Sequence, residues 1–223
     1  MPDAIQPASG HPVEEFRADL ATLLESAYPP GVVPIREYIR GTAFFSGGPG
    51  LYMEHPEGPL PPFPFGGLMF IGHNFDAEEP YLERLRTGKA HGDRRRPMKT
   101  WRGLYRLLEL ASVNPCECFF TNIYVGLIAG AKPTGKFPGA ADPDFVSWCT
   151  SFLERQMAKM EPRGVVMLGA EVRNFFKASQ GVGQMTWRGH ELPYAALVHP
   201  SMHPANAARV GGVTAEAERL ASL

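Results

Sequence analysis

LMFIGHNFD, residues 68–76, is an unbroken apolar run that empties into a polar turn. A strand with one face in water alternates apolar and polar residues; a strand covered on both faces stays apolar throughout, as in parallel α/β sheets. Three more runs share this character: CFFTNIY at 118–124, GVVML at 164–168 and YAALV at 194–198. Helical patterns lie between them. Residues 97–111 carry Trp101, Leu104, Tyr105, Leu107 and Leu108 at three- and four-residue steps. Residues 143–160 carry Phe145, Val146, Trp148, Cys149, Phe152, Leu153, Met157 and Met160, behind Asp142 as N-cap and Pro143 at the first helical position. Residues 170–178 form a shorter helix. Upstream, Val13, Phe16, Leu20, Leu23 and Leu24 make 12–28 helical until Pro29-Pro30 stops it.

Strands alternating with helices mean βαβ units with right-handed crossovers. The expected class is α/β: a three-layer α/β/α arrangement about a central four-stranded, mainly parallel sheet. A chain of 223 residues, 44% apolar, has ample material for one core, so 1–223 reads as one domain. Residues 1–11 are expected to be flexible. Residues 41–67, rich in Gly and Pro, form a long irregular segment of the kind that packs on the body or serves a site.

The 22 basic and 23 acidic residues nearly cancel, which is not the bulk signature of a protein living on nucleic acid. Charge is local instead: residues 89–106, KAHGDRRRPMKTWRGLYR, are strongly basic, and read as a solvated loop or a phosphate-contacting surface. Three cysteines and no secretory pattern point to a reducing cytoplasm without disulfides. No apolar run approaches a membrane span. A soluble, cytoplasmic monomer is expected.

In open parallel sheets, sites form at the carboxyl ends of the strands. The first strand hands its loop Gly72, His73, Asn74, Phe75 and Asp76; the second ends in Thr121-Asn122; the third delivers Gly169-Ala170-Glu171; the fourth delivers His199-Pro200-Ser201. Two amides and an imidazole converge on one edge, with a carboxylate and a second imidazole beside them. Amides present donor and acceptor together, which suits a neutral polar heterocycle better than a phosphate. Taken singly, Asn74 could cap a turn, Asn122 could be a satisfied core amide and His199 could be structural; their joint placement favours a site. His190, His199 and His203 lack the spacing and partners of a metal site, so no metal is expected. Neither G-x-S-x-G, nor a P-loop, nor G-x-G-x-x-G occurs, so no nucleotide cofactor is expected.

In this order, the strand-end residues resemble the uracil-DNA glycosylase superfamily. Gly72-His73-Asn74-Phe75 is similar to its first motif, a strand ending in G-x-D-P or G-x-N-P. FFTN places Asn122 at the base-reading position. VVMLGA at 165–170 and His199-Pro200-Ser201 are similar to its later motifs, and Asp76 to Glu79, RPMKTWRGLYRLL and SWCTSFLERQMAKMEP resemble the stretches between. The resemblance runs from about Leu68 to His203. It is nearest in pattern to the family-4-like branch and to the branches with an amide at position 74. The chain departs from it at Phe75, where Pro is usual. Only Cys149 matches an iron–sulfur position, with Gly126 where another cysteine would stand, so no cluster is expected.

The resemblance implies a monofunctional DNA glycosylase that flips out and hydrolyses uracil or another deaminated or mismatched base from DNA, with no cofactor. In that reading Asn74 holds the water and Asp76 is a backup base. Asn122 reads the base edge within a pocket that includes Gly72 and His73. His199 stabilises the departing anion. Phe75 or Trp101 stacks on the base. Ser201, Met202 and His203 press on the duplex, and Arg94, Arg95, Arg96 and Lys99 meet phosphates. Two other readings stay open: a catalytically altered member that only binds nucleic acid or a free base, and an unrelated α/β enzyme acting on nucleosides.

Overall fold

A computed structural model describes residues 11–24, 28–35, 49–54, 58–88, 98–132, 135–187, 189–201 and 211–223. Along the chain lie α1 (Pro12–Leu24), β1 (Val32–Val33), β2 (Leu68–Gly72), α2 (Glu78–Thr87), α3 (Lys99–Leu110), β3 (Cys118–Asn122), β4 (Leu127–Ile128), α4 (Pro143–Met160), β5 (Gly164–Leu168), α5 (Ala170–Phe175), β6 (Gly181–Trp187), β7 (His190–Leu197) and α6 (Gly212–Ala221). The main sheet has strand order β3-β2-β5-β7-β6, and β1 pairs with β4 in a small antiparallel ribbon.

The apolar runs are strands because both sheet faces are covered, and the period of two shows which residue meets which layer. Met69, Ile71, Phe119, Val165, Met167, Tyr194 and Ala196 pack with α1 and α4 residues such as Phe16, Phe152 and Met157. Leu68, Phe70, Phe120, Val166, Leu168, Ala195 and Leu197 pack with Trp101, Leu104 and Leu108 of α3 and with Ala217 and Leu220 of α6. Helices on both faces make the three-layer α/β/α fold. Asp142 caps α4 by accepting from the Phe145 N–H at 2.8 Å.

The sheet has five strands rather than the four expected. The fifth, β6, runs antiparallel to β7 from Gly181↔Ala196 to Trp187↔His190. Its sequence, GVGQMTW, carries two glycines and alternates between half-buried and exposed residues, as an edge strand with one wet face does. That pairing also starts β7 at His190, earlier than the apolar run suggests. α2 and α6 were likewise not expected. Among expected elements, β3 ends at Asn122, because the N–H groups of Ile123 and Tyr124 turn to the carbonyls of Gly72 and His73. α5 closes at Phe175, α3 spans Lys99–Leu110 and α1 ends at Leu24, with 25–27 outside the described residues.

The expected flexibility of 1–11 falls on residues outside the description, except His11, whose Nε2 lies 3.1 Å from the Pro61 carbonyl. Within 41–67, residues 41–48 and 55–57 also lie outside it. The described part covers the open edge of β3: Leu51 bridges Phe119, and the Phe120 N–H donates to the Gly50 carbonyl at 2.7 Å. Covering an exposed edge removes a template for unwanted strand pairing. Among the described residues, no helix is long and apolar enough to cross a membrane.

Candidate active site

β2 and β5 are neighbours, yet the chain leaves β2 for β3 on one side and leaves β5 for β6 and then β7 on the other. Such a switch point opens a crevice at the strand carboxyl ends. A cavity of about 460 Å3 occupies it, lined by the ends of all four parallel strands and by Met98, Thr100 and Trp101 of the α3 region. Gly72, His73, Asn74, Phe75, Asp76, Asn122, Glu171, His199 and Ser201 all face it. Parallel register sets Gly72 beside Asn122. Because Thr121 donates to Gln156 of α4 at 2.7 Å, the period of two turns Asn122 toward the opposite, α3-facing side.

His199 is held in one tautomer. Its Nδ1 receives the Ser201 backbone N–H at 3.3 Å and lies 2.8 Å from the Ser201 hydroxyl oxygen. A backbone N–H only donates, so Nδ1 is unprotonated and Nε2 carries the hydrogen. Burial first, and the charge of His73 second, push the His199 pKa below its ordinary value, so the ring is a neutral donor near pH 7. His73 is wired the opposite way. Its Nδ1 lies 3.0 Å from Asn74 Oδ1; an amide oxygen only accepts, so Nδ1 carries the hydrogen and Nε2 the lone pair. Burial lowers its pKa, against the opposing influences of Asn74 and Glu171.

Asp76 lines the cavity, but its carboxylate is ion-paired to Arg84 of α2 and accepts the Ala77 N–H at 2.8 Å. The side chains are 7% and 12% exposed, so this is a buried pair, and burial brings the Arg84 guanidinium down to about 10, still charged at neutral pH. Of the two candidate platforms, Trp101 is 1% exposed, set edge-on to Phe120 at 5.0 Å and tilted against Tyr105 at 5.6 Å. Phe75 is half-buried, lines the same cavity and meets Tyr81 edge-on at 5.5 Å. Lys99 is exposed at the first turn of α3, between the lining residues Met98 and Thr100. Arg94, Arg95, Arg96, Met202 and His203 lie outside the described residues.

Cys118 and Cys149 are buried thiols whose pKa values burial raises to about 12; the Val125 N–H approaches Cys149 Sγ at 3.5 Å. Among the described residues, no group of three His, Cys, Asp or Glu side chains is placed to hold a metal.

Three residues hold the His199 loop, and two of them, Gly103 and Glu216, were not singled out in the sequence. A Cβ on Gly103 would sit 2.3 Å from the Pro200 carbonyl oxygen, so a bare α carbon lets α3 touch the loop. Gly169, at φ +97°, brings the β5–α5 turn against His199, where a Cβ would lie 3.2 Å from that of His199. Glu216 of α6 accepts the Val198 N–H at 2.8 Å and pairs with Arg219. A glycine inside an amphipathic helix was the readable signal for Gly103. Glu216 carried none, because no element was assigned to its segment.

A family model described as the uracil DNA glycosylase superfamily matches residues 64–221, well over half the chain, from just before β2 to the last turn of α6. Members of that superfamily are in general glycosylases, hydrolases that act on DNA. No curated protein matches the chain.

Proposed function

The chain belongs to the uracil DNA glycosylase superfamily, and on that premise we propose that it is a monofunctional DNA glycosylase that removes uracil or another deaminated base by hydrolysis. The observation that carries this reading is the meeting of Asn122 and a neutral, Nε2-protonated His199 in one cavity. Cleaving an N-glycosidic bond leaves positive charge on the sugar and negative charge on the departing base. A target flipped out of the stack is read at its edge, and Asn122 offers a donor and an acceptor at once. The His199 Nε2–H donates to a carbonyl oxygen of the base as charge develops there. Such a preorganised donor does not have to transfer its proton to stabilise an anion.

Asn74 holds the attacking water through its amide oxygen, an effect of positioning. Phe75 stacks on the base, and Trp101 supports the wall behind it. Asp76 is committed to Arg84, so we assign it to holding the loop rather than to taking a proton. Ser201 with Met202 and His203 presses on the duplex; Lys99, with Arg94, Arg95 and Arg96, meets the phosphates. The amide at position 74, which is no base, favours one other reading: a member that binds DNA or a free base without catalysis.

Oligonucleotides carrying uracil, a G·T mismatch, hypoxanthine or xanthine, in single and double strands, separate the two. Alkaline cleavage after incubation reveals abasic sites. Product from at least one substrate is expected; salt-sensitive binding with no product from any of them replaces the proposal with the binding-only reading.

A further inference from the structure

We propose that His73 is a positioning residue for Asn74, fixing which end of that amide meets the attacking water. The role rests on the glycosylase reading above, in which Asn74 holds the water. The two ends of an amide are similar in size and opposite in chemistry. Its terminal torsion is broad and two-fold, so an Asn side chain without a directional partner can present either end. Asn74 is half-buried on the cavity, and among the described residues its side chain makes one hydrogen bond, to His73. His73 Nδ1 lies 3.0 Å from Asn74 Oδ1, and the Nδ1–H donates to that oxygen.

The choice of end matters for attack at C1′. An amide oxygen accepts an O–H of the water and leaves the water's own lone pairs free to form the new bond. The NH2 end would donate to one of those lone pairs and tie up the electrons the attack requires. The Asn74 oxygen has two lone pairs, so it receives the His73 Nδ1–H and the water O–H together. His73 acts through this contact alone, without touching the substrate or taking a proton.

The ring that gives the bond is itself held. Tyr124 meets it edge-on at 5.3 Å and Phe137 edge-on at 6.3 Å. Those two rings stack on each other at 4.9 Å, and Phe137 stacks in turn on Phe145 of α4. The Gly72 and His73 carbonyls accept the Ile123 and Tyr124 N–H groups at 2.9 and 3.0 Å, which ties the end of β2 to the chain leaving β3. The contact also survives a change of charge. Burial favours the neutral ring, while Asn74 and the Glu171 carboxylate on the same cavity favour the imidazolium. Nδ1 carries its hydrogen in both forms.

Single-turnover excision from the panel above, with DNA affinity and thermal midpoint measured alongside, tests this. His73→Phe keeps an aromatic ring against Tyr124 and Phe137 but lacks the donor. It should slow excision about 30-fold while DNA affinity changes less than about threefold. His73→Asn gives up the ring, yet its amide nitrogen falls where Nδ1 was, and it should excise at least fivefold faster than His73→Phe. A carboxylate has no wrong end, since both of its oxygens accept. In an Asn74→Asp background, His73→Phe should therefore cost less than about fivefold. If the phenylalanine lowers the thermal midpoint, His73→Leu, smaller and equally without a donor, takes its place in each comparison. A donor-free variant within threefold of wild type, an Asn variant no faster than it, or an equal loss with and without Asn74→Asp overturns the role of His73 and leaves the glycosylase reading intact. A wild-type chain that releases no base from any substrate overturns both.

Discussion

The loops after β2 and β7 each bring a histidine to the same cavity, and they are built differently. The β2 loop is tied by hydrogen bonds to its neighbours: Tyr124 N–H to the His73 carbonyl at 3.0 Å, Ile128 N–H to the Asp76 carbonyl at 2.9 Å, and the buried Asp76–Arg84 pair. The β7 loop is held mostly by close packing, with Gly103 and Gly169 pressed against it and Glu216 receiving the Val198 N–H. The wiring of the rings differs too. His73 gives away Nδ1–H, whereas His199 receives at Nδ1. One ring therefore carries its lone pair on Nε2 and the other its hydrogen there.

The contrast is broken most severely at the β2 loop. Arg84→Met leaves the Asp76 carboxylate buried without its cation and should cost about 3–5 kcal/mol in urea unfolding. Adding Asp76→Asn should recover much of that and leave excision largely intact. Loss of excision in a well-folded double variant would return Asp76 to the list of bases. At the β7 loop the largest effect is on rate. His199→Ala and Asn122→Ala should each slow single-turnover excision by roughly 100- to 1,000-fold with the thermal midpoint little changed. Unchanged rates in both would sink the assignment of the pocket.

Packing around His199 can be probed without touching the ring. Alanine in place of glycine inside a helix ordinarily stabilises by about 1 kcal/mol. Gly103→Ala should do the reverse, because the new Cβ would meet the Pro200 carbonyl. Excision should fall roughly tenfold as the loop shifts, and a stabilised variant with full activity would show that the loop yields freely. The smallest effect is expected at Glu216. Burial raises its pKa, more than the Val198 N–H and Arg219 lower it. The folded state therefore holds the proton better than the unfolded one. That contribution is present below the unfolded pKa and is lost as the pH rises through the folded one. Glu216→Gln keeps an oxygen for the Val198 N–H and should flatten this part of the stability–pH curve, within about 1 kcal/mol at neutral pH. An unaltered curve would assign the dependence to another group.

Much of the site was legible because polar residues at the ends of apolar runs are conspicuous. Asn74, Asn122 and His199 each follow or close a buried strand, and all three line one cavity. Gly181–Trp187 was not legible as a strand, since its glycines and polar residues read equally well as a loop until β7 pairs with it. Asp76 and Trp101 show the same limit from the other side. The sequence shows a carboxylate and a tryptophan beside the site, but not the Arg84 that pairs with the one or the Phe120 that packs edge-on to the other.

The chain's own periodicity determined that the strands are buried on both faces, that helices separate them, and which polar residues stand at their carboxyl ends. These are local properties, carried by neighbours in the chain. The protonation pattern of the two histidines, the burial of Asp76 with Arg84, the cover over the β3 edge and the approach of α3 to Pro200 were decided only by the tertiary structure. Each depends on the final placement of a hydrogen or a Cβ against a partner, and small differences in distance there reverse what a residue can do.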